Sequence, residues 1–340
     1  MKHTCDKIRI GLVGLGRMGR EHLTAFMKMP DVLISCIVTS KPTDEARMLG
    51  VPSTSVVTDS IEHMLSRSDV DVVDVCTPSY MHYSISRLAL AKGKAVICEK
   101  PIALTLHEGR QLVELSKERG TLLLIGHVLR FHPAFVISRL LVKEGFIGSA
   151  VRILTFRGIQ YPQWGEWYQE EEKSGGSIVD LLIHDLDFIT WTLGPATAVR
   201  AERLPEDASL VSIDLLFANG DNTARVEGGW SNNSRFVPRT RLSISGELAS
   251  IEFDTTRAFT APFLADIAGA DIRAMQLSLS VKHGLTPLFY ELRHFVNCIQ
   301  GKCKPRIDPQ EALYALMLAL SARKSLSEGR TVTLPILESY

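Results

Sequence analysis

The stretch "GLVGLGRMGREH", Gly11 to His22, decides the fold. It continues the β-branched run Ile8–Val13 and contains a complete G-x-G-x-x-G: Gly14, Leu15, Gly16, Arg17, Met18 and Gly19. In that setting each glycine has a separate task. The first permits a tight turn, the second lets backbone amides approach a pyrophosphate, and the third lets helix and strand pack closely. The apolar spacing of Glu21–Met29 predicts the helix that follows, and a helix N-terminus behind the loop favours an anion. Strand, glycine loop and helix together predict a bound dinucleotide.

Working outward, Val32–Val38, Val70–Cys76, Ala95–Cys98 and Thr121–Ile125 are near-continuous apolar runs separated by helical stretches. Strands apolar on both faces suit a parallel sheet covered by helices on each side. One of those helices announces its start, because Thr105 with Glu108 three residues later fits a capping box and Glu108–Arg119 carries the helix.

After about residue 125 the pattern changes. A helix is expected near Pro133–Glu144, strands such as Ala150–Arg157 alternate in polarity, and a glycine-opened helix, Ser177–Leu193, stops at Gly194-Pro195. Asn219-Gly220 and Ser245-Gly246-Glu247 read as antiparallel hairpin turns. Two helices close the chain, Phe289–Ile299 and one that begins at Asp308-Pro309 and runs to Gly329. The expected fold class is therefore α/β: an N-terminal doubly wound Rossmann domain over residues 1–125, then an α+β domain over 126–340 with an open, mainly antiparallel sheet. The last helices are free to pack back on the first domain.

Composition narrows the function. Lys plus Arg equals Asp plus Glu at 38 each, which leaves no net field to hold a nucleic acid. No window approaches eighteen apolar residues and the apolar N-terminal run is too short for a signal sequence, so a cytoplasmic protein without membrane partners is expected. Six cysteines, Cys5, Cys36, Cys76, Cys98, Cys298 and Cys303, contain no C-x-x-C pair, which predicts reduced thiols and no metal centre.

The end of the second strand bears on the cofactor. A carboxylate about 20 residues beyond the glycines would hold the ribose of NAD. Here the sequence is "CIVTSKPTDEA", and Thr39, Ser40 and Lys41 offer two hydroxyls and an ammonium, which favours NADP(H) over NAD(H). Asp44 and Glu45, a few residues on, are the alternative partners for an NAD ribose.

Ligands of open α/β sheets collect beyond the carboxyl ends of the strands, where "DVCTPSYMH", "ICEKP" and "IGHVLRFHP" lie. With the glycine loop and the later "SGGSIVDLLIHDLDF", these segments resemble the Gfo/Idh/MocA oxidoreductase family, from Ile8 to at least Leu193. The resemblance implies NAD(P)-dependent hydride transfer at a CH-OH or C=O carbon of a sugar, cyclitol or other polyhydroxy compound. It implies Lys100 as the catalytic lysine, Asp180 and His184 as its Asp-x-x-x-His partners, and Cys76, Thr77 and Pro78 beside the nicotinamide ribose. His82 lies near them and Arg130 near the domain junction.

Physical chemistry gives these assignments reasons. Oxidising a carbinol releases a proton, so a base must reach its oxygen, and an imidazole titrates near working pH. Asp180, four residues before His184, shares a helical face with it, and Asp187 continues the stripe. Lys100 polarises the reacting oxygen or passes its proton, while Glu99 balances its charge. His127, Tyr161 and Trp167 are further candidates for the substrate, the last two in an aromatic loop, "IQYPQWGEWYQEEEKSGG", that would suit a sugar face or an interface. His3, His63, His107, His132, His283 and His294 read as surface or core residues. An uncovered sheet face in the second domain predicts a homo-oligomer, a dimer or tetramer. Two further readings are a cofactor-recycling lyase or glycosidase on the same fold and a non-catalytic cofactor sensor.

Overall fold

A computed structural model of the chain describes residues 7–218, 220–256 and 285–335. It divides into two compact units: Met1–Val128 with Leu285–Leu313, and Leu129–Gly284 with Tyr314–Tyr340.

In the first unit the apolar runs become strands in regular alternation with helices: β1 (Ile8–Val13), α1 (Arg17–Met27), β2 (Val32–Val38), α2 (Thr43–Met48), β3 (Val56–Thr58), α3 (Ile61–Ser66), β4 (Val72–Val75), α4 (His82–Ala91), β5 (Ala95–Glu99), α5 (Leu106–Arg119) and β6 (Leu123–Gly126). All pairings are parallel and the sheet order is β3-β2-β1-β4-β5-β6, so the strand order reverses between β1 and β4. The central strands are buried on both faces, as helices covering each side require: Ile10, Leu12, Val72, Val73, Val75, Val96, Ile97 and Cys98 are fully enclosed. The predicted capping box at α5 is present. Glu108 N–H donates to Thr105 Oγ1 and Thr105 N–H to the Glu108 carboxylate, both at 3.2 Å.

Several boundaries move by a few residues, among them those of α1 and β4. Helix α1 begins at Arg17, four residues earlier than apolar spacing indicates, because Gly19 belongs to its first turns and the exposed Arg17 and Arg20 carry no apolar signal. Strand β4 starts at Val72, and residues 70–71 lead into it as irregular backbone in which Asp71 N–H donates to the Arg9 carbonyl.

The second unit contains α6 (Pro133–Lys143), β7 (Arg152–Gln160), α7 (Glu171–Ser174), a π-helical turn (Ile178–Leu182) leading into α8 (Ile183–Leu193), and β8 (Ala196–Arg203), β9 (Leu210–Phe217), β10 (Thr223–Ser231), β11 (Arg239–Ser245), β12 (Ser250–Asp254) and β13 (Val332–Thr333). Its seven strands run β12-β11-β7-β10-β9-β8-β13. Every pairing is antiparallel except β7 with β10, so the sheet is mixed. Ser245-Gly246-Glu247 turns β11 into β12 as expected. Asn219-Gly220 lies between β9 and β10, which pair as a hairpin, although Asn219 itself falls outside the described residues.

Two closing helices follow. Helix α9 (Pro287–Ile299) belongs to the first unit and packs on α1, and its Arg293 grips Asp31, in the turn between α1 and β2, with two bonds of 2.6 and 2.9 Å. Helix α10 (Pro309–Glu328) starts behind Asp308, whose carboxylate accepts from Gln310 N–H at 2.8 Å. Among the described residues no helix is long and apolar enough to cross a membrane.

Candidate active site

The glycine loop sits at the reversal of strand order and its geometry leaves little freedom of sequence. Gly14 has φ 94°, and a Cβ there would stand 2.7 Å from the Cys76 carbonyl oxygen. A Cβ on Gly19 would lie 1.9 Å from the Gly14 oxygen, so backbone meets backbone and only glycine fits. Gly16 differs, because a Cβ on it would meet nothing within 4 Å. That open space faces the start of α1, where no side chain caps the first turn and no acidic residue stands. The unsatisfied amides and the positive end of the helix thus remain available to an anion. Thr77, just past β4, has its Oγ1 buried without a hydrogen-bond partner among the described residues. An open cradle over uncapped amides and an orphaned hydroxyl fit the pyrophosphate and ribose of a dinucleotide.

Beyond the loop, Cys76 is buried and its thiol stays protonated, pushed up by burial and then by the Asp74 charge. Pro78 opens the short turn into α4. His82 lies at the head of α4, fully enclosed, with Nδ1 2.8 Å from the Pro101 carbonyl and Nε2 3.0 Å from that of Thr77. Burial outweighs the two carbonyls and holds its pKa below the ordinary value, and the single N–H of the neutral ring serves one of the two strand-end carbonyls. His127 follows β6, also buried, with its backbone N–H on the Ile125 carbonyl.

Lys100 follows β5 directly and precedes a cis bond to Pro101. Its backbone N–H donates to Glu99 Oε2 at 3.2 Å. Glu99 is itself buried, and its other oxygen meets His22 Nε2 at 3.1 Å. The opposite ring nitrogen of His22, Nδ1, lies 2.9 Å from Asp74 Oδ2, and Asp74 is 0% exposed in the middle of β4. One imidazole thus bridges two buried carboxylates.

Burial alone would strip the His22 proton, but the Asp74 charge and hydrogen bond overcome it and hold the pKa well above the ordinary value. Glu99 shows the converse. Burial would raise its pKa, yet the His22 hydrogen bond and charge, with Lys100 beyond, keep it below the usual carboxylate range. Asp74, His22 and Glu99 therefore form a charged chain that fixes the backbone carrying Lys100.

Neither His22 nor Asp74 was among the residues expected from the sequence. A signal existed, since of the two aspartates in "VDVVDVC" the second falls among the apolar residues of the strand itself and must find a cation or a donor once the strand is buried.

In the second unit, Asp180 lies in the π-helical turn and His184 in the first turn of α8. The backbone hydrogen bonds of that turn run i to i+5. Asp187 follows His184 by three residues in α8. It is buried and receives the Arg130 guanidinium at 3.0 and 2.7 Å, and Arg130 is itself enclosed with Trp191 5.3 Å from its centre. Arg157 pairs with buried Asp185 in the same way. The aromatic loop packs largely on itself. Tyr161 OH donates to the Tyr168 carbonyl at 2.9 Å, Trp167 stacks on Tyr168 at 3.8 Å, and Trp230 closes the cluster. A surface cavity of about 440 Å³ lies against Tyr161, Pro162, Gln163 and Glu166. Lys100 belongs to the first unit, Asp180 and His184 to the second.

Comparison with known proteins settles the lineage. Residues 8–127 match the NAD-binding Rossmann fold of the oxidoreductase family GFO_IDH_MocA, and residues 139–334 match that family's C-terminal alpha/beta domain. The chain belongs to the Gfo/Idh/MocA family. Among its relatives, the 2,7-anhydro-N-acetylneuraminate hydratase of Escherichia coli K12 is 30% identical over 293 residues, 85% of this chain and 72% of that protein. The scyllo-inositol 2-dehydrogenase (NAD(+)) of Bacillus subtilis 168 is 25% identical over 350 residues, 98% of each chain. The WlbA dehydrogenase of Bordetella pertussis, crystallised with NADH and UDP-GlcNAcA, shares the fold with a TM-score of 0.83 at 22% identity, covering 97% of this chain and 99% of that one. As a Gfo/Idh/MocA member the chain is an oxidoreductase with a nicotinamide-cofactor fold.

Proposed function

We propose that this Gfo/Idh/MocA protein is an NAD(H)-dependent dehydrogenase that moves a hydride between the nicotinamide and a CH-OH or C=O carbon of a cyclitol or sugar. The observation that carries the reading is Lys100, held at the end of β5 by the Asp74–His22–Glu99 chain, in the same sheet as the glycine loop. Nicotinamide, when bound, supplies the hydride acceptor or donor. Leu15, Gly16, Arg17, Met18 and Gly19 present backbone amides to the cofactor's pyrophosphate, Gly14 makes the turn with its own N–H on the Val38 carbonyl, and Cys76, Thr77 and Pro78 bound the ribose side. Lys100 donates to the reacting oxygen. His184, with Asp180, takes the carbinol proton on oxidation and returns it on reduction. Relatives named as inositol dehydrogenases support the substrate class.

The cofactor choice is revised from NADP(H) to NAD(H). Lys41, offered by the sequence as a partner for a 2′-phosphate, is ion-paired with Glu45 on the first turn of α2, with Asp44 beside it. The ammonium is thereby occupied and two carboxylates stand at the exit of β2, which disfavours a second phosphate and suits a ribose diol.

A panel of inositols, aldoses and keto sugars with both cofactors tests the reading. The expected result is a reversible absorbance change at the nicotinamide band, with kcat/KM higher for NAD(H) by roughly tenfold or more, given about 1.4 kcal/mol for each tenfold. Silence with every polyol sinks it. Product release without net absorbance change would favour the recycling lyase, a reading kept in view by the hydratase among the relatives.

We further propose that a second copy covers the open face of the seven-stranded sheet, where exposed Leu154 and Leu216 lie among the ion pairs Arg225–Asp214 and Arg241–Glu252. Light scattering should give a multiple of 37.7 kDa that collapses to one copy in Leu154→Asp/Leu216→Asp. A monomeric native protein would contradict it.

A further inference from the structure

Helix α9 ends in a chain reversal made by Gly301 at φ 70°. Gly301 N–H donates to the Cys298 carbonyl and Lys302 N–H to that of Asn297, both at 2.9 Å, the paired bonds of a Schellman cap. The reversal folds Cys303 back onto the last turn of the helix, where its Sγ lies 3.5 Å from Cys298 Sγ. His294, one turn earlier, places Nε2 3.4 Å from the Cys298 sulfur and Nδ1 3.7 Å from that of Cys303. Cys298 is buried and Cys303 exposed.

Two sulfurs and an imidazole at these separations are also a metal donor set, but the ring is committed elsewhere. Arg306 N–H donates to His294 Nε2 at 2.9 Å, so that nitrogen's lone pair is used. Burial, and then the Arg306 charge, hold the His294 pKa below its ordinary value, which leaves a neutral ring with its proton on Nδ1 against the Cys303 sulfur. A metal at either nitrogen would have to break one of these contacts.

We propose that Cys298 and Cys303 are a peroxide-responsive thiol pair, in which exposed Cys303 is the oxidised residue and buried Cys298 resolves it as a disulfide. A hydroperoxide transfers one oxygen to the Cys303 sulfur as its O–O bond breaks, and the thiol's proton equivalent leaves with the other peroxide oxygen as water or an alcohol, giving a sulfenic acid. The Cys298 sulfur then attacks that sulfur, and the sulfenic oxygen leaves as water with the Cys298 proton. Two thiols are oxidised by two electrons and the peroxide is reduced by the same two. The sulfurs close from 3.5 Å to a bond of about 2.05 Å by side-chain rotation, with the helix cap already holding the backbone. Burial and the neighbouring Cys303 push Cys298 up to about 12, so it stays a thiol until its partner is oxidised. A resolving thiol at contact distance makes the oxidation of Cys303 reversible and keeps it from the sulfinic acid.

Trypsin cuts after Lys302, between the two cysteines, so only a disulfide keeps their peptides joined. After treatment of the native protein with stoichiometric hydrogen peroxide, mass spectrometry should find the 294–302 and 303–306 peptides linked and two hydrogens lighter, and dithiothreitol should separate them. In Cys298→Ser the Cys303 peptide should gain two oxygens roughly tenfold or more faster than in the native protein. Two outcomes would overturn the proposal. One is equal sulfinic acid formation in both proteins without a linked pair. The other is stoichiometric zinc in the purified protein that is lost in Cys303→Ser and shields both thiols from peroxide.

Discussion

His22→Ala is expected to destabilise the protein by about 3–5 kcal/mol, the usual cost of removing one partner from a buried ion pair. The substitution leaves Asp74 and Glu99, both buried, without the cation between them. Thermal unfolding followed by circular dichroism measures it. His22→Gln, which keeps one donor and the approximate volume, should recover part of the loss, whereas a simple cavity would be filled as well by leucine. An alanine variant within about 1 kcal/mol of the native protein would mean that the three groups do not act as a charged chain.

The pH dependence carries a sign. The folded pKa of His22 is raised above 6.5, so its contribution is complete below that value and fades as pH rises through the folded value. Glu99 is depressed below 4.5, so its contribution is complete above that value and fades as pH falls through the folded one. The difference in melting temperature between native protein and His22→Gln should therefore be largest between those two reference values and shrink on either side. A difference that fails to shrink as pH rises through the folded His22 value, or falls through that of Glu99, would contradict the assignment.

Lys100→Met is expected to lower kcat by about 10²–10⁴, the range for removing a group that handles a proton in the transition state. Cofactor affinity, set by the glycine loop, should change little. Lys100→Arg should restore the positive charge without the rate, because a guanidinium neither releases its proton nor fits a point-charge site. Steady-state kinetics with titration of the cofactor separates the effects. A methionine variant that binds the cofactor normally and retains more than about a tenth of kcat would remove Lys100 from the chemistry.

These two residues also mark where sequence suffices. The place of Lys100 at the close of β5 was legible because its signal is local: a buried strand that stops at Glu-Lys-Pro, at the end of a sheet whose first turn holds G-x-G-x-x-G. His22 was not, because its partners stand 52 and 77 residues away and nothing within its helix shows that the face it occupies meets carboxylates. The same distance hid the Arg130–Asp187 pair, and the parallel pairing of β7 with β10. The π-helical turn under Asp180 was invisible for another reason, since a one-residue change in hydrogen-bond period leaves composition and apolar spacing nearly unchanged. Lys41 misled because an exposed cation and the carboxylate four residues on pair across one helical turn, and the sequence presents the cation first.

Direct hydride transfer is tested most simply by label. A cyclitol deuterated at the carbinol carbon, oxidised by the native enzyme with NAD, should yield reduced cofactor heavier by one deuterium, with none released to solvent. Deuterium recovered in water or retained in the organic product, with the cofactor unlabelled, would contradict it.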